Sequence, residues 1–171
     1  MKSIIAAAAA LAVLAGCETV PSRSVGASAP VQPTTGNKAA GEVTFEETSG
    51  KVRIRASVQG LAPGREHGFH IHEVGDCSAN AENAKGHFNP DGKPHGHFAA
   101  ADRHAGDLPS LRADDAGRGQ VDTTVDRITL RSGPASVIGR AVIVHANPDD
   151  YKSQPAGNAG PRIACGVIRA R

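Results

Sequence analysis

The sequence predicts an all-β domain, a sandwich or barrel whose strands are joined by two long functional loops. Apolar and polar residues alternate in several short segments, which is the period of a half-buried strand. No segment keeps a helical period for more than about one turn. Two long stretches are dense in Gly, Asn, Asp and Pro, residues that favour loops over strands. Function in such a domain is expected on the loops, because the sheet holds them in place.

The strands are predicted in chain order from this alternation. Val43 and Phe45 mark one strand and Val52 to Val58 the next, and Ser49-Gly50 between them is a hairpin signal that makes the two antiparallel neighbours. The later strands are predicted at residues 66–72, 108–112, 120–125, 137–145 and 163–168. The two loops are predicted at residues 75–103 and 146–161.

The N-terminal residues 1–40 are expected to lie outside the folded domain. Residues 1–16 join a basic start to a short apolar stretch, as in a secretory signal peptide, and are too short to span a bilayer. The junction with the next residue reads Leu14-Ala-Gly-Cys17, which resembles the site where bacterial lipoproteins are cleaved and lipidated, so we expect a lipid on Cys17. The alternative is a plain signal peptide with an incidental cysteine. Residues 17–40, rich in Ser, Ala, Pro, Thr and Gly, predict a flexible tether before a domain at 41–171.

These features predict a periplasmic protein that is anchored to a membrane by its lipid. Glu18 follows the cysteine in place of the aspartate often linked to inner-membrane retention, so we expect the outer membrane. The formal net charge is +2, with no long run of like charges and no basic patch interleaved with aromatic residues. Nothing in this composition argues for nucleic-acid binding.

The sequence has three cysteines, and Cys77 and Cys165 make an even pair once Cys17 is set aside. Disulfides persist in exported proteins, so we expect a Cys77–Cys165 bridge. Two buried free thiols are the alternative.

All eight histidines lie between residues 67 and 145. His70 and His72 are two apart on a predicted strand, so their imidazoles point to the same face and can grip one ion. His145 ends another predicted strand and completes a nitrogen-only set suited to copper. A second set, suited to tetrahedral zinc, is offered by His95, His104 and Asp107. His87 is the candidate bridge, because a fully deprotonated imidazole can hold one metal on each nitrogen.

The motifs around these residues resemble the copper/zinc superoxide dismutase family over residues 41–168. The matching segments occur in the family's order: Gly68-Phe-His-Ile-His-Glu73, Gly86-His-Phe-Asn-Pro90, His104-Ala-Gly-Asp107, Val144-His145 with Asp149-Asp150, and Gly157-Asn-Ala-Gly-Pro-Arg162-Ile-Ala-Cys-Gly166. The resemblance implies an eight-stranded antiparallel Greek-key barrel. It also implies an enzyme that converts superoxide to oxygen and hydrogen peroxide.

The resemblance assigns roles to individual residues. Copper would be held by His70, His72, His87 and His145, and zinc by His87, His95, His104 and Asp107. Asp149 would tie a copper ligand to a zinc ligand, Cys77 and Cys165 would form the family's disulfide, Arg162 would attract the anion, and His87 would pass a proton to the departing peroxide. The segment 95–103 departs from the stretch that bacterial members often show before the last zinc histidine. His67 is expected to pack beneath the copper strand, and His97 to be exposed.

Two other functions are compatible with such a sequence. A periplasmic copper- and zinc-buffering or delivery protein on the same fold would be expected to offer sulfur ligands, but the one methionine is the initiator and two cysteines are expected to be paired. A metal-free binding module would be expected to have lost ligands, and all of them are present. The sequence leaves open whether the protein is a monomer or a homodimer.

Overall fold

The structure, a computed structural model, describes residues 24–171. The predicted signal peptide 1–16, the lipidation site Cys17 and the first part of the tether lie outside the described residues. Ten strands follow in chain order: β1 Val25–Pro33, β2 Ala40–Thr48, β3 Lys51–Gln59, β4 Glu66–His67, β5 Phe69–His72, β6 Leu111–Arg112, β7 Gly119–Val125, β8 Ala141–His145, β9 Arg162–Val167 and β10 Arg169–Ala170. Within residues 24–171, no helix is long and apolar enough to cross a membrane.

Eight of the strands form one curled antiparallel sheet. Its order is β5-β8-β9-β1-β2-β3-β7, with β10 paired to β1, while β4 and β6 make a separate two-stranded ribbon. The β2–β3 hairpin turns at Ser49 and Gly50, both with positive φ, as predicted. Three neighbouring pairs are not consecutive in sequence, namely β5 and β8, β9 and β1, and β3 and β7, so long connections cross between them. The predicted all-β, eight-stranded architecture with two long loops is confirmed.

The prediction of a flexible tether through residue 40 is wrong for Val25–Pro33, which is strand β1. This strand pairs with β2 along most of its length, with β10 near its start and with β9 at its end. Ala27, Ala29 and Val31 alternate into the core with no measurable exposure. Their small side chains and the interspersed prolines and serines hide the period, and the stabilising partners are far away in sequence. The folded domain therefore includes residue 25 and does not begin at residue 41.

Three predicted strands are shorter than expected. The segment 66–72 is interrupted at Gly68, so β4 pairs with β6 and β5 pairs with β8. In the segment 137–145 only Ala141–His145 is a strand, because Gly139 adopts a turn with φ of 80° just before it. The segment 108–112 is a strand only at Leu111–Arg112. Each of these strands begins where it can pair with a neighbouring strand. The local alternation of apolar and polar residues does not show where that pairing starts.

The main core lies inside the curled sheet, between the inward faces of the strands. Strand β3 shows the alternation most clearly, with Val52, Ile54, Ala56 and Val58 buried and the residues between them exposed. Strands β5 and β8 are buried on both faces. Their outer face is covered by the first loop, residues 73–110, and by the second loop, residues 146–161. The metal-ligand candidates on these two strands are therefore enclosed.

A smaller apolar cluster fixes the first loop to the outer face of the sheet. Ala81 and Ala84, in a short irregular 3₁₀ segment (Ala79–Ala84), pack with Ala141, Ile143 and Cys165. The Cys77–Cys165 disulfide, with Cα atoms 5.7 Å apart, ties this loop to β9. The predicted pairing is confirmed, and the alternative of two free thiols is excluded.

Candidate metal centre

Three of the predicted ligands project from the outer face of β5 and β8. His70 and His72 share this face of β5 while Phe69 and Ile71 enter the core, as strand alternation requires. His145 ends the neighbouring strand β8. These three histidines are at most 5% exposed, so the sheet and the loops shield them from bulk water.

The rings of His72 and His145 are oriented by main-chain carbonyl groups. His72 donates from Nδ1 to the carbonyl of Lys85 at 2.8 Å, and His145 donates from Nδ1 to the carbonyl of Gly160 at 3.0 Å. Both Nε2 atoms are then unprotonated in the neutral rings. They lie 3.4 Å apart, so two lone pairs converge on one point.

His87 is brought to the same point by close pairing of the first loop with β5. The amide of Phe88 donates to the carbonyl of Ile71 at 2.8 Å, and the amide of Ile71 donates to Gly106 at 2.9 Å. This approach requires glycine at position 106, because a Cβ there would lie 2.2 Å from the carbonyl oxygen of Ile71. The His87 ring stacks on the ring of His70, with centroids 4.0 Å apart.

A second cluster forms around one carboxylate oxygen of Asp107. Oδ1 lies 2.8 Å from Nδ1 of His87, 3.0 Å from Nδ1 of His95 and 3.3 Å from Nδ1 of His104. The other oxygen, Oδ2, accepts hydrogen bonds from the main-chain amides of His104 and Gly96. Backbone donors therefore hold the carboxylate so that Oδ1 faces the three histidines.

Asp149 connects the two clusters from the second loop. Its Oδ2 accepts a hydrogen bond from Nε2 of His70 at 2.7 Å, and its Oδ1 accepts one from Nε2 of His95 at 2.9 Å. Oδ1 also accepts the amide of Tyr151 at 2.7 Å. Gly157 permits this arrangement, because a Cβ there would lie 1.9 Å from Asp149 Oδ1. The structure thus brings together every predicted ligand and the predicted linking carboxylate.

The proton affinities of these side chains follow from their surroundings. Burial lowers the pKa of His70 to about 3 and that of His145 to about 4. Burial acts in the same direction on His95, but its hydrogen bonds with Asp107 and Asp149 outweigh this and raise its pKa to about 9. Burial would raise the pKa of Asp107, but the facing histidines hold it well below its usual range. The first cluster therefore offers neutral imidazoles and the second an anionic carboxylate.

The two clusters fit metal ions by the chemistry of the atoms that converge in them. In the first, Nδ1 of His70 and Nε2 of His87 are buried without a hydrogen-bond partner in the described residues. In the second, carboxylate oxygens face both ring nitrogens of His95, so a proton or a metal cation must lie between its Nδ1 and Oδ1 of Asp107. Ligand atoms of a tetrahedral zinc site lie about 3.3 Å apart, close to the distances around Asp107 Oδ1. The ligand atoms within each group all lie within 4.8 Å of one another.

Arg162 is half-buried at the start of β9, beside the first cluster. Its guanidinium donates to the carbonyl of Ala81 and, at 2.6 Å, to the carbonyl of Lys85. The same Lys85 carbonyl accepts Nδ1–H of His72, so Arg162 lies one hydrogen-bonded group away from a predicted copper ligand. Its charge also contributes to lowering the pKa of His72 and of His145, after the larger effect of burial.

The two remaining histidines have the positions predicted for them. His67 is 2% exposed and donates from Nδ1 to the carbonyl of His145 at 2.8 Å, so it packs beneath the cluster. His97 is exposed at the surface of the first loop. Sequence reasoning missed Gln154, whose side chain binds the main chain of His95, and the carbonyl of Lys85. No local pattern in the sequence marks either group.

Comparisons with known proteins agree with this geometry. The family model described as "Copper/zinc superoxide dismutase (SODC)" matches residues 39–168. "Superoxide dismutase [Cu-Zn] 2" of Aquifex aeolicus (strain VF5) is 46% identical over 134 residues, covering 75% of this chain and 78% of that protein. "Superoxide dismutase [Cu-Zn]" of Paramecium bursaria Chlorella virus 1 is 44% identical over 75% of this chain and 71% of its own length.

A solved structure extends the comparison to the fold. The crystal structure of the clock protein EA4 superposes with a TM-score of 0.76 at 42% sequence identity, covering 85% of this chain and 94% of that one. The identities to curated dismutases and the two intact clusters do not favour the alternative of a metal-buffering protein. The chain is an enzyme that uses copper and zinc to convert superoxide to oxygen and hydrogen peroxide, and it belongs to the copper/zinc superoxide dismutase family.

Proposed function

We propose that superoxide is converted at the first cluster, with copper held there and zinc held at the second. The proposed copper ligands are His70, His72, His87 and His145, and the proposed zinc ligands are His87, His95, His104 and Asp107. The observation that carries this assignment is the position of His87. Its Nδ1 lies 2.8 Å from Asp107 in the second cluster, while its buried Nε2 has no hydrogen-bond partner among the described residues and belongs to the first.

The clusters differ in what they can bind. Four imidazole nitrogens suit copper, whereas three nitrogens and a carboxylate oxygen suit zinc. When bound, copper would supply the one-electron redox chemistry of the reaction and zinc a fixed, redox-inert charge. The protein keeps both sets of ligands in place through groups outside them, namely the carbonyls of Lys85 and Gly160 and the carboxylate of Asp149.

His87 and Arg162 would act on the substrate in different ways. Nε2 of His87 is the atom that takes up a proton and passes it to the departing peroxide, while Nδ1 stays in the second cluster near Asp107. Arg162 would attract and orient the superoxide anion, because its guanidinium is fixed by two carbonyls beside the first cluster.

Metal analysis combined with superoxide dismutation tests this assignment. The purified protein should hold one copper and one zinc per chain. His72→Ala should abolish dismutation and leave zinc bound, whereas His97→Ala, at an exposed histidine outside both clusters, should change neither. Wild-type protein that takes up zinc alone, and shows no activity after copper is added, would favour the buffering function instead.

The proposed location is the periplasm, with the chain held to the outer membrane by a lipid on Cys17. The support is the sequence Leu14-Ala-Gly-Cys17 and the residue Glu18 that follows it. Cell fractionation of wild type and Cys17→Ser is the test, with the wild type expected in the membrane fraction and the variant released from it. A wild-type protein already soluble in the periplasm would contradict the anchor.

A further inference from the structure

Gln154, an exposed residue of the second loop, uses both polar atoms of its side-chain amide to hold the main chain of His95. Its Oε1 accepts the amide N–H of His95 at 2.8 Å, and its Nε2 donates to the carbonyl of His95 at 2.9 Å. The remaining N–H of the Gln154 amide is directed at the carbonyl of Lys152, 3.4 Å away. The pair imitates one rung of an antiparallel sheet, formed by a side chain instead of a strand.

His95 has little else to fix its backbone. It lies in the first loop outside any strand, and in residues 24–171 its main-chain N–H and C=O make no hydrogen bonds other than those to Gln154. Its ring, in contrast, is held at both nitrogens, by Asp107 at 3.0 Å and by Asp149 at 2.9 Å. A ring can occupy a position between two carboxylates only if the Cα that carries it is also fixed.

The turn that carries Gln154 is itself well ordered by hydrogen bonds. Asp150 accepts the amides of Lys152 and Ser153, at 2.9 and 2.8 Å, and the hydroxyl of Ser153 at 2.6 Å. The amide of Gly157 donates to the carbonyl of Ser153 at 2.7 Å, which closes the turn around Gln154. The side chain is therefore presented from a rigid support, although it is exposed.

We propose that Gln154 is a positioning residue for the zinc site, acting through the backbone of His95. The inference rests on the proposed function, because it takes His95 as a zinc ligand. Gln154 reaches His95 from the same loop as Asp149, so the second loop sets both the backbone and the ring of this ligand. Groups that orient a metal ligand from outside typically change metal affinity by about 10- to 100-fold when they are removed. Two neutral hydrogen bonds to an exposed side chain belong at the low end of that range.

The test compares Gln154→Met with Gln120→Met in the whole protein. Methionine keeps the length and flexibility of glutamine but can neither accept nor donate as the amide does. Gln120 is an exposed glutamine on β7 and controls for the change in composition. Zinc affinity is measured by competition with a chromophoric chelator, and cobalt substitution of the zinc site reports its geometry through the visible spectrum. The thermal midpoint of the metal-free protein reports folding.

Gln154→Met should raise the zinc dissociation constant about tenfold and alter the cobalt spectrum, with the midpoint of the metal-free protein unchanged. Gln120→Met should match the wild type in all three measurements. Zinc affinity and cobalt spectrum equal to wild type in Gln154→Met would overturn the proposal, and so would a loss of affinity that comes with a lower midpoint of the metal-free protein. His95→Ala tests the ligand assignment separately. If His95→Ala binds zinc as tightly as the wild type, the assignment of His95 as a zinc ligand fails. If His95→Ala loses zinc while Gln154→Met binds it normally, only the role of Gln154 is refuted.

Discussion

Replacing Asp149 with alanine removes the carboxylate that joins a histidine of each cluster. Three hydrogen bonds are lost: those to His70 Nε2 at 2.7 Å, to His95 Nε2 at 2.9 Å and to the amide of Tyr151 at 2.7 Å. His70 stays fixed by β5, which pairs with β8 along its length, whereas His95 lies in a loop. We therefore expect zinc affinity to fall more than copper affinity. The expected loss for zinc is about 10- to 100-fold, which corresponds to about 1.4–2.7 kcal/mol.

The assay is chelator competition for each metal, with metal content measured after dialysis. Asp122→Ala is the matched control, because Asp122 is a half-exposed carboxylate on β7 that pairs with Arg53 far from the clusters. Its zinc and copper affinities should equal those of the wild type. Zinc binding by Asp149→Ala within about twofold of wild type, below the range expected for such groups, would refute the reasoning, as would a loss confined to copper.

Three further predictions concern charge, the disulfide and pH. Arg162→Ala should leave metal content unchanged and lower the bimolecular rate with superoxide, and Arg162→Glu should lower that rate further. Rates of both variants equal to the wild-type rate at low salt would contradict a role of Arg162 in steering. Cys77→Ser should destabilise the protein in thermal unfolding by at most about 4–5 kcal/mol, which is the loop-closure entropy lost for a sequence separation of 88. An unchanged thermal midpoint would contradict this prediction. In metal-free protein, His70 and His145 have pKa values of about 3 and about 4, below the ordinary 6.5, so the unfolded chain binds protons first as pH falls. Stability measured by thermal unfolding should therefore drop as the pH falls from about 6.5 to about 4, by up to about 1.4 kcal/mol per pH unit for each of these two histidines. His95 acts in the opposite direction, because its pKa is raised to about 9. Its contribution to stability is present below about pH 6.5 and is lost as the pH rises towards 9. A flat profile below pH 6.5 would show that these histidines are not buried as neutral groups.

Strand period was sufficient to predict that His70 and His72 lie together, whereas the loop candidates His87, His95 and His104 were joined to them by residue type and by the resemblance to a family. His70 and His72 share a face for the reason that any residues two apart on a strand do. The role of Asp149 required the resemblance to a family, since it meets His95 across 54 positions of sequence. Gln154 was missed because its partners are backbone atoms of His95, which no side-chain pattern records.

Strand β1 was missed for a different reason. Its inward side chains are alanines and a valine, so the alternation contributes little hydrophobic contrast, and its prolines are typical of a linker. Pro30 is tolerated because it lies where β1 changes partner from β10 to β9, a gap in the strand pairing on that edge. Gly166 of β9 packs against Pro30 at this point. A side chain at position 166 would clash, because its Cβ would lie 2.6 Å from the carbonyl oxygen of Pro30. Such contacts are set by the assembled sheet and not by neighbours in sequence.

The position of β1 between β9 and β2 has a consequence for how the chain tolerates cleavage. Without residues 25–33, β2 would lose its partner from Gly41 to Glu47 and β9 would lose its partner at Ala164 and Cys165, so both would become edges of the sheet. Such edges recruit a strand from another molecule, so a protease cut in the stretch 34–39, followed by loss of β1, would convert this protein into a template for polymers. The cut itself removes none of the metal-ligand candidates, which lie on β5, β8 and the two loops. Aggregation through these edges is therefore a damage to expect from proteolysis at this end of the domain.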